Sequence, residues 1–425
     1  MSTLTLTMNL QFSKCRVLAT LGPGMLIAAT GVGAGDLATA AFAGTRLGIA
    51  VLWAAALGAF LKFVLNEGLA RWQLATGETL LEGAMTRVGR PLQFVFMGYL
   101  LLWSYFTGSA MMSACGATAH AMFPVFESAQ HGKIVFGGLA SIAGTVLVLV
   151  GGYRLFSVVM SACIAFMFGT VLLTVVLLKP DWSAVLSGLL IPRIPHDHGQ
   201  GLSWTIALMG GIGGTLTVLC YGYWIREEGR TGGADLRLSR IDLAVGYTMT
   251  ALFGIAMVII GGTIDVSGKD SALVVTLASS LGTTLGPFGK WCFLIGAWGA
   301  VFSSLLGVWQ SAPYIFADSI SLMLREPKEA RRKRVATASR TYRAFLLAIA
   351  LIPMAGLFTR FETVQKAYAI FGAGFMPLLA LTLVYLNGST RWVGPQFRNH
   401  PATTMLLLGI LVFFCLAGYY EISTG

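Results

Sequence analysis

Asp36 stands in an apolar stretch, residues 21–45, directly after a run of glycines at Gly31, Gly33 and Gly35. A carboxylate at about mid-bilayer depth costs roughly 2.5 to 3.5 kcal/mol on insertion scales, so it persists where it faces a polar path or a ligand. The clustered glycines weaken the helix and release backbone carbonyls, which lipid tolerates only around a cavity. A carboxylate beside free carbonyls is a donor set for a cation. About 180 residues later the interruption recurs as Gly210-Gly211-Ile212-Gly213-Gly214-Thr215-Leu216-Thr217, now with hydroxyls.

Other polar residues in apolar surroundings have weaker claims to chemistry. Glu67 lies one turn before Arg71, a spacing that favours an ordinary ion pair. Lys62 sits deeper, one turn before Asn66; a positive charge in a cation path would repel the cargo, so a structural partner is expected. Asp242 and Asp318 fall near the ends of apolar runs and are expected to be solvated, as is His120. Ser303, Ser304 and Gln310 could line a path or bond between helices. Gly31-x-Gly33-x-Gly35 lacks the preceding strand and soluble context of a dinucleotide loop. His196-Asp197-His198 lies in a Pro-rich connection and reads as a solvated loop. The six cysteines are scattered without a Cys-x-x-Cys pair, which argues against a disulfide framework or a zinc site.

The elements that must position these residues are membrane helices. Of the 425 residues, 56% are hydrophobic and 11% charged. A hydrocarbon core about 30 Å thick takes roughly 20 apolar helical residues. About 11 such runs occur: 21–45, 49–71, 92–119, 133–151, 155–178, 203–224, 241–262, 288–314, 342–358, 363–387 and 402–420. The ten-residue alternation of an outer-membrane barrel is missing. The expected fold is therefore an all-α polytopic membrane protein, one integral domain without a soluble insertion. Interrupted helices at matching points of two halves point to inverted repeats of five plus five spans, with spans 1 and 6 unwound around a midplane site. Residues 21–178 would form repeat one and 203–387 repeat two, with 402–420 an extra helix; segment 181–190 would lie along the surface.

Twenty of the 29 Lys and Arg fall on one side if residues 1–20 are cytoplasmic, eight fall on the other, and Lys62 lies within a span. The clusters at 226–240 and 325–343 are then cytoplasmic, as the positive-inside rule requires. The net charge of +11 is thus topological. It suits contact with anionic lipid rather than nucleic acid. Lys14 and Arg16 precede a run too long for a cleaved signal, so it reads as a first helix. No intramembrane acid pair, Gly-x-Ser-x-Gly or His-Glu-x-x-His appears, and one carboxylate supports cation binding over acid–base catalysis; no enzyme, cofactor or obligate protein partner is implied.

Gly22-Pro23-Gly24, the run to Gly44, Leu52-Trp53 and the stretch through Leu69-Ala70-Arg71 to Thr76-Gly77 resemble spans 1 and 2 of the Nramp family of divalent-metal transporters without a gap. Phe375-Met376-Pro377-Leu378-Leu379 and Arg391-Trp392-Val393-Gly394 extend the resemblance over most of the chain. It implies a leucine-transporter-like fold working by alternating access, in an integral membrane taken to be a bacterial inner membrane. The family's Asp-Pro-Gly-Asn is matched here by Gly33-Ala34-Gly35-Asp36, which moves the acid to the Asn position. Its span-6 Ala, Met, Pro and His positions fall on Gly214, Thr217, Val218 and Leu219. This pattern resembles the divergent Nramp-related magnesium transporters. Hydroxyl, carboxylate and carbonyl suit Mg2+ and Mn2+, whereas a thioether suits softer metals. Mg2+ keeps several waters, so a largely hydrated ion held by Asp36, Thr217 and the carbonyls of Gly33 and Gly214 is expected. With Leu219 at the His position and no acid in 92–119, transport is expected to run without protons; moving two charges gains about 4.6 kcal/mol per 100 mV. The alternatives are a proton-coupled Mn2+ or Fe2+ carrier of the main family and a sodium-coupled organic-solute carrier of the same fold.

Overall fold

The structure is a computed structural model that describes residues 22–33, 35–195, 200–263 and 273–424. The N-terminal segment with Lys14, Cys15 and Arg16, and the His196-Asp197-His198 loop, lie outside the described residues.

Helix is the only regular secondary structure among the described residues, the solution that lets a backbone satisfy itself in lipid. Among the described residues, ten stretches are long and apolar enough to cross a membrane. One of them, Asp36–Thr76, joins the second half of the interrupted first span to the second span, so that the first half, Gly22–Gly31, brings the total to the expected eleven. The fourth and fifth spans run through one continuous helical stretch, Ala129–Leu178. Leu273–Met323 is bent where Gly286 takes φ +73° ahead of Pro287, which places the eighth span after that bend. The helix Trp182–Leu190, capped by Asp181, lies against the turn Gly48–Val51, with Gly188 against the Ile49 carbonyl.

The first span breaks after Gly31 and resumes as a π-helical turn, Gly35–Thr39, and the helix Ala40–Leu47. The sixth runs as Gly201–Gly211, an extended Ile212, then Gly213 and Gly214 at φ +76° and +79°, a 3-10 turn Leu216–Leu219 and the helix Cys220–Glu227. Two successive residues in the left-handed region explain the paired glycines, because any side chain there is strained. The breaks touch backbone to backbone: a Cβ on Gly31 would lie 2.8 Å from the Gly213 carbonyl carbon.

The seventh span, Ala234–Thr263, packs along the whole first span, approaching Gly24 at Gly246 and the Ala41 carbonyl at Gly261. Small residues let membrane helices come this close. Apolar side chains such as Val150, Met405 and Leu416 face outward on the surrounding helices, as lipid contact demands.

Candidate cation site between the broken spans

Asp36 is fully buried, in the first turn of the resumed helix of span 1. Its Oδ2 accepts a 3.4 Å hydrogen bond from the Gly213 N–H, which ties the two breaks together, while Oδ1 accepts none among the described residues. Gly254 leaves the space behind it: a Cβ there would stand 3.6 Å from Oδ1. The helix start gives the carboxylate a favourable dipole end. An unpartnered buried carboxylate oxygen is costly, which makes Oδ1 the candidate atom to meet a cation.

The remaining predicted ligands gather here with different availability. Thr217 is 5% exposed and close to Gly214, whose added Cβ would lie 2.7 Å from Oγ1. The Gly33 carbonyl already accepts the Leu37 N–H at 2.8 Å, and the Gly214 carbonyl accepts the Lys62 ammonium. Each retains a second lone pair. Thr215 Oγ1 accepts from Trp103 Nε1 at 2.6 Å and contacts Tyr368, a wall that the sequence did not reveal. Met111 of the third span brings its sulfur to 3.5 Å from where a Gly33 Cβ would stand. A thioether therefore adjoins the site from a helix that the span-6 pattern says nothing about.

Lys62 is the residue whose importance sequence reading missed. It is fully buried, and its Nζ donates to the carbonyls of Gly210, at 2.7 Å, Ile212 and Gly214. The expected structural partner is thus the break of span 6 itself. Lys62 and Asp36 act on one another electrostatically, and no direct ion pair joins them among the described residues. One turn on, Asn66 Nδ2 donates to the Tyr247 hydroxyl at 2.9 Å. The only sequence signal was the depth of a lysine in an apolar run.

The freed carbonyls of span 1 are answered from span 8, where the Ser303 hydroxyl donates to Ala29 O at 3.0 Å and the Ser304 hydroxyl donates to Thr30 O. These serines bond between helices. Gln310 accepts from Trp224 Nε1 at 3.2 Å. Three further expectations are corrected. Asp242, 1% exposed, accepts from the Gly24 N–H at 2.8 Å and pairs with Arg230 at 2.9 Å. Asp318, equally buried, accepts from the Tyr223 hydroxyl at 2.6 Å and pairs with Arg331 at 2.7 Å. Neither is solvated, because the connections at that end fold back over the helix ends. His120 is buried at 5% exposure against Gly132 rather than hydrated. Glu67 pairs with Arg71 as expected, and also with Arg240.

Asp36 has no solvent exposure. The Asp242–Arg230 pair lies by the start of the first half of span 1, and Phe42, in its second half, packs on Trp204 and Phe361 with ring centroids 5.8 and 6.1 Å away. Two helices broken at facing points around an occluded polar site define a membrane transporter of the leucine-transporter-like class. Solved structures of similar fold agree: the manganese transporter of Eremococcus coleocola, at 17% identity, has a TM-score of 0.74 over 96% of this chain and 87% of that one. MhsT in complex with L-phenylalanine, 16% identical, has a TM-score of 0.58 over 93% and 96%.

The family model described as natural resistance-associated macrophage protein-like, Nramp, matches residues 24–424, and the chain belongs to that family. Two relatives named divalent metal cation transporter MntH are similar to it. That of Chromohalobacter salexigens is 25% identical over 305 residues, 68% of this chain and 69% of the relative. That of Yersinia enterocolitica is 22% identical over 254 residues, 56% and 58%. The family consists of transporters rather than enzymes, in accord with the resemblance read from spans 1, 2 and 10.

Proposed function

We propose that this protein carries a divalent metal cation across a bacterial inner membrane by alternating access, Mg2+ first and Mn2+ besides, without coupling to protons. Residues 1–20 would be cytoplasmic, and repeats 21–178 and 203–387 would rock about the two breaks. Asp36 is the charged ligand; Thr217 and the second lone pairs of the Gly33 and Gly214 carbonyls are neutral ones, with water completing the shell. The observation that carries this reading is the unpartnered Oδ1 of a fully buried carboxylate at the junction of the breaks. The relatives' names, divalent metal cation transporter and manganese transporter, support the cargo class. Oxygen donors from both breaks support a hard ion.

The Met111 sulfur beside Gly33 favours a second reading, a proton-coupled carrier of Mn2+ or Fe2+, since a thioether helps softer ions compete with Mg2+. Flux into proteoliposomes separates the two. Saturable Mg2+ uptake that Asp36→Ala abolishes, with no acidification of the lumen at matched potential, is the expected result. Mn2+ uptake that Mg2+ neither follows nor inhibits would return the protein to the second reading.

A further inference from the structure

The two breaks pose the same physical problem and receive different answers. Carbonyls released from a membrane helix must find donors. In span 1 the donors are the neutral hydroxyls of Ser303 and Ser304. In span 6 the donor is a whole charge. An ammonium has three N–H groups and no acceptor, and Lys62 spends all three on alternate carbonyls of one unwound segment, Gly210, Ile212 and Gly214. These lie at the end of the half-helix Gly201–Gly211, so the ammonium also meets the negative end of its dipole. Unwound carbonyls at the end of a half-helix are the arrangement by which interrupted transporter helices coordinate a small cation.

Hydrogen bonding alone does not explain the choice of lysine, since hydroxyls suffice in the other break. Asp36 supplies the missing reason. Its carboxylate faces the same cradle, and among the described residues Lys62 is the basic group that acts on it. The stem of Lys62 arrives from span 2 where that helix runs tight against span 6, a Cβ on Gly58 lying 3.0 Å from the Met209 backbone. The ammonium is therefore fixed from one helix into the carbonyls of another.

We propose that the Lys62 ammonium is a built-in cation occupying a monovalent-cation site in the break of span 6, so that this carrier works without a sodium or potassium ion there. Removing the ammonium opens the site to a free ion of the same class: ammonium, Na+ or K+. The proposal concerns the cradle and not the cargo, and its test needs no transported ion.

Purified wild type, K62A and K62M are melted in detergent at constant ionic strength, with N-methyl-D-glucamine chloride replaced stepwise by ammonium, sodium or potassium chloride. K62A leaves a cavity with three bare carbonyls. It is expected to melt several degrees below wild type in N-methyl-D-glucamine and to recover saturably with at least one small cation, as mass action requires for an ion that binds only the folded state. Wild type is expected to stay flat, and K62M, whose side chain fills the stem space without a charge, to stay both low and flat. K62A as stable as wild type without a small cation, or folded and unresponsive to all three ions, would overturn the proposal. So would an equal response in wild type. If K62A fails to survive purification in every salt, K62Q is measured in the same way: a rise with a small cation supports the proposal and a flat response overturns it. A failure of the Asp36→Ala flux experiment would leave this result standing, since stability reads the cradle with no cargo present.

Discussion

Thr217 is the residue on which the proposed preference for a hard ion turns. Its hydroxyl adjoins Gly214 and occupies the position where the resemblance places a methionine. Thr217→Met would bring a second thioether beside that of Met111, and the ratio of Mn2+ to Mg2+ uptake is expected to rise, on the order of tenfold, in competition assays with proteoliposomes. Asp36 was legible in the sequence because an acid in a Gly-rich apolar run is too costly to persist without a polar path or a ligand. Lys62 was not. Its depth in span 2 was plain, but its role depends on that span lying against the unwound part of span 6, and 150 residues separate Lys62 from Ile212. Asp242 and Asp318 mislead for a related reason. A position near the end of an apolar run suggests exposure to water, whereas Arg230 and Arg331 come back over the helix ends and bury both.

At the scale of elements, the breaks themselves were readable because glycine clusters in membrane helices have a physical meaning. The partners that stabilise each break were less so. Ser303 and Ser304 are two ordinary polar residues in span 8 until span 1 is placed beside them. Ser304→Ala leaves the buried Thr30 carbonyl without its donor, and a carbonyl so orphaned costs about 1 to 3 kcal/mol. A lower melting temperature is the expected outcome, with metal-ion flux retained in the surviving protein, since the Ser304 hydroxyl is committed to the Thr30 carbonyl. Span count was also an element-scale question. The expected runs 133–151 and 155–178 are two spans, Ala129–Val150 and Val158–Leu178, within one helical stretch, Ala129–Leu178.

Across the whole molecule, basic residues from which the expected topology is read also tie the helices together. Arg331 belongs to a run that composition assigns to lipid headgroups, but it bridges Glu82, in the short helix Leu80–Arg87, to Asp318 on the eighth span. Burial acts to raise the Glu82 pKa; the hydrogen bond and charge of Arg331, helped by Lys328 and Arg226, outweigh it and hold the carboxyl below its ordinary value of 4.5. The unfolded chain then takes up the proton more readily than the folded one. The contribution of Glu82 is complete above pH 4.5 and is lost as the pH falls through the lower folded value. In thermal melts from pH 7 downward, Glu82→Gln is expected to be less stable than wild type at neutral pH and to lose less of its stability below pH 4.5.

The burial of Asp36 and Lys62 in one closed compartment has an electrical consequence. The two side chains are anchored on spans 1 and 2 and differ in the sign of charge they can carry, so when both are ionised their charges cancel and they present no net charge to the membrane field. A loaded compartment carries the two charges of its ion, whose passage the membrane potential favours by about 4.6 kcal/mol per 100 mV. If the cycle runs without protons, as proposed, voltage acts on the half that moves cargo and leaves the return of the empty carrier to thermal motion, so a larger potential accelerates flux only until that return becomes the slow step.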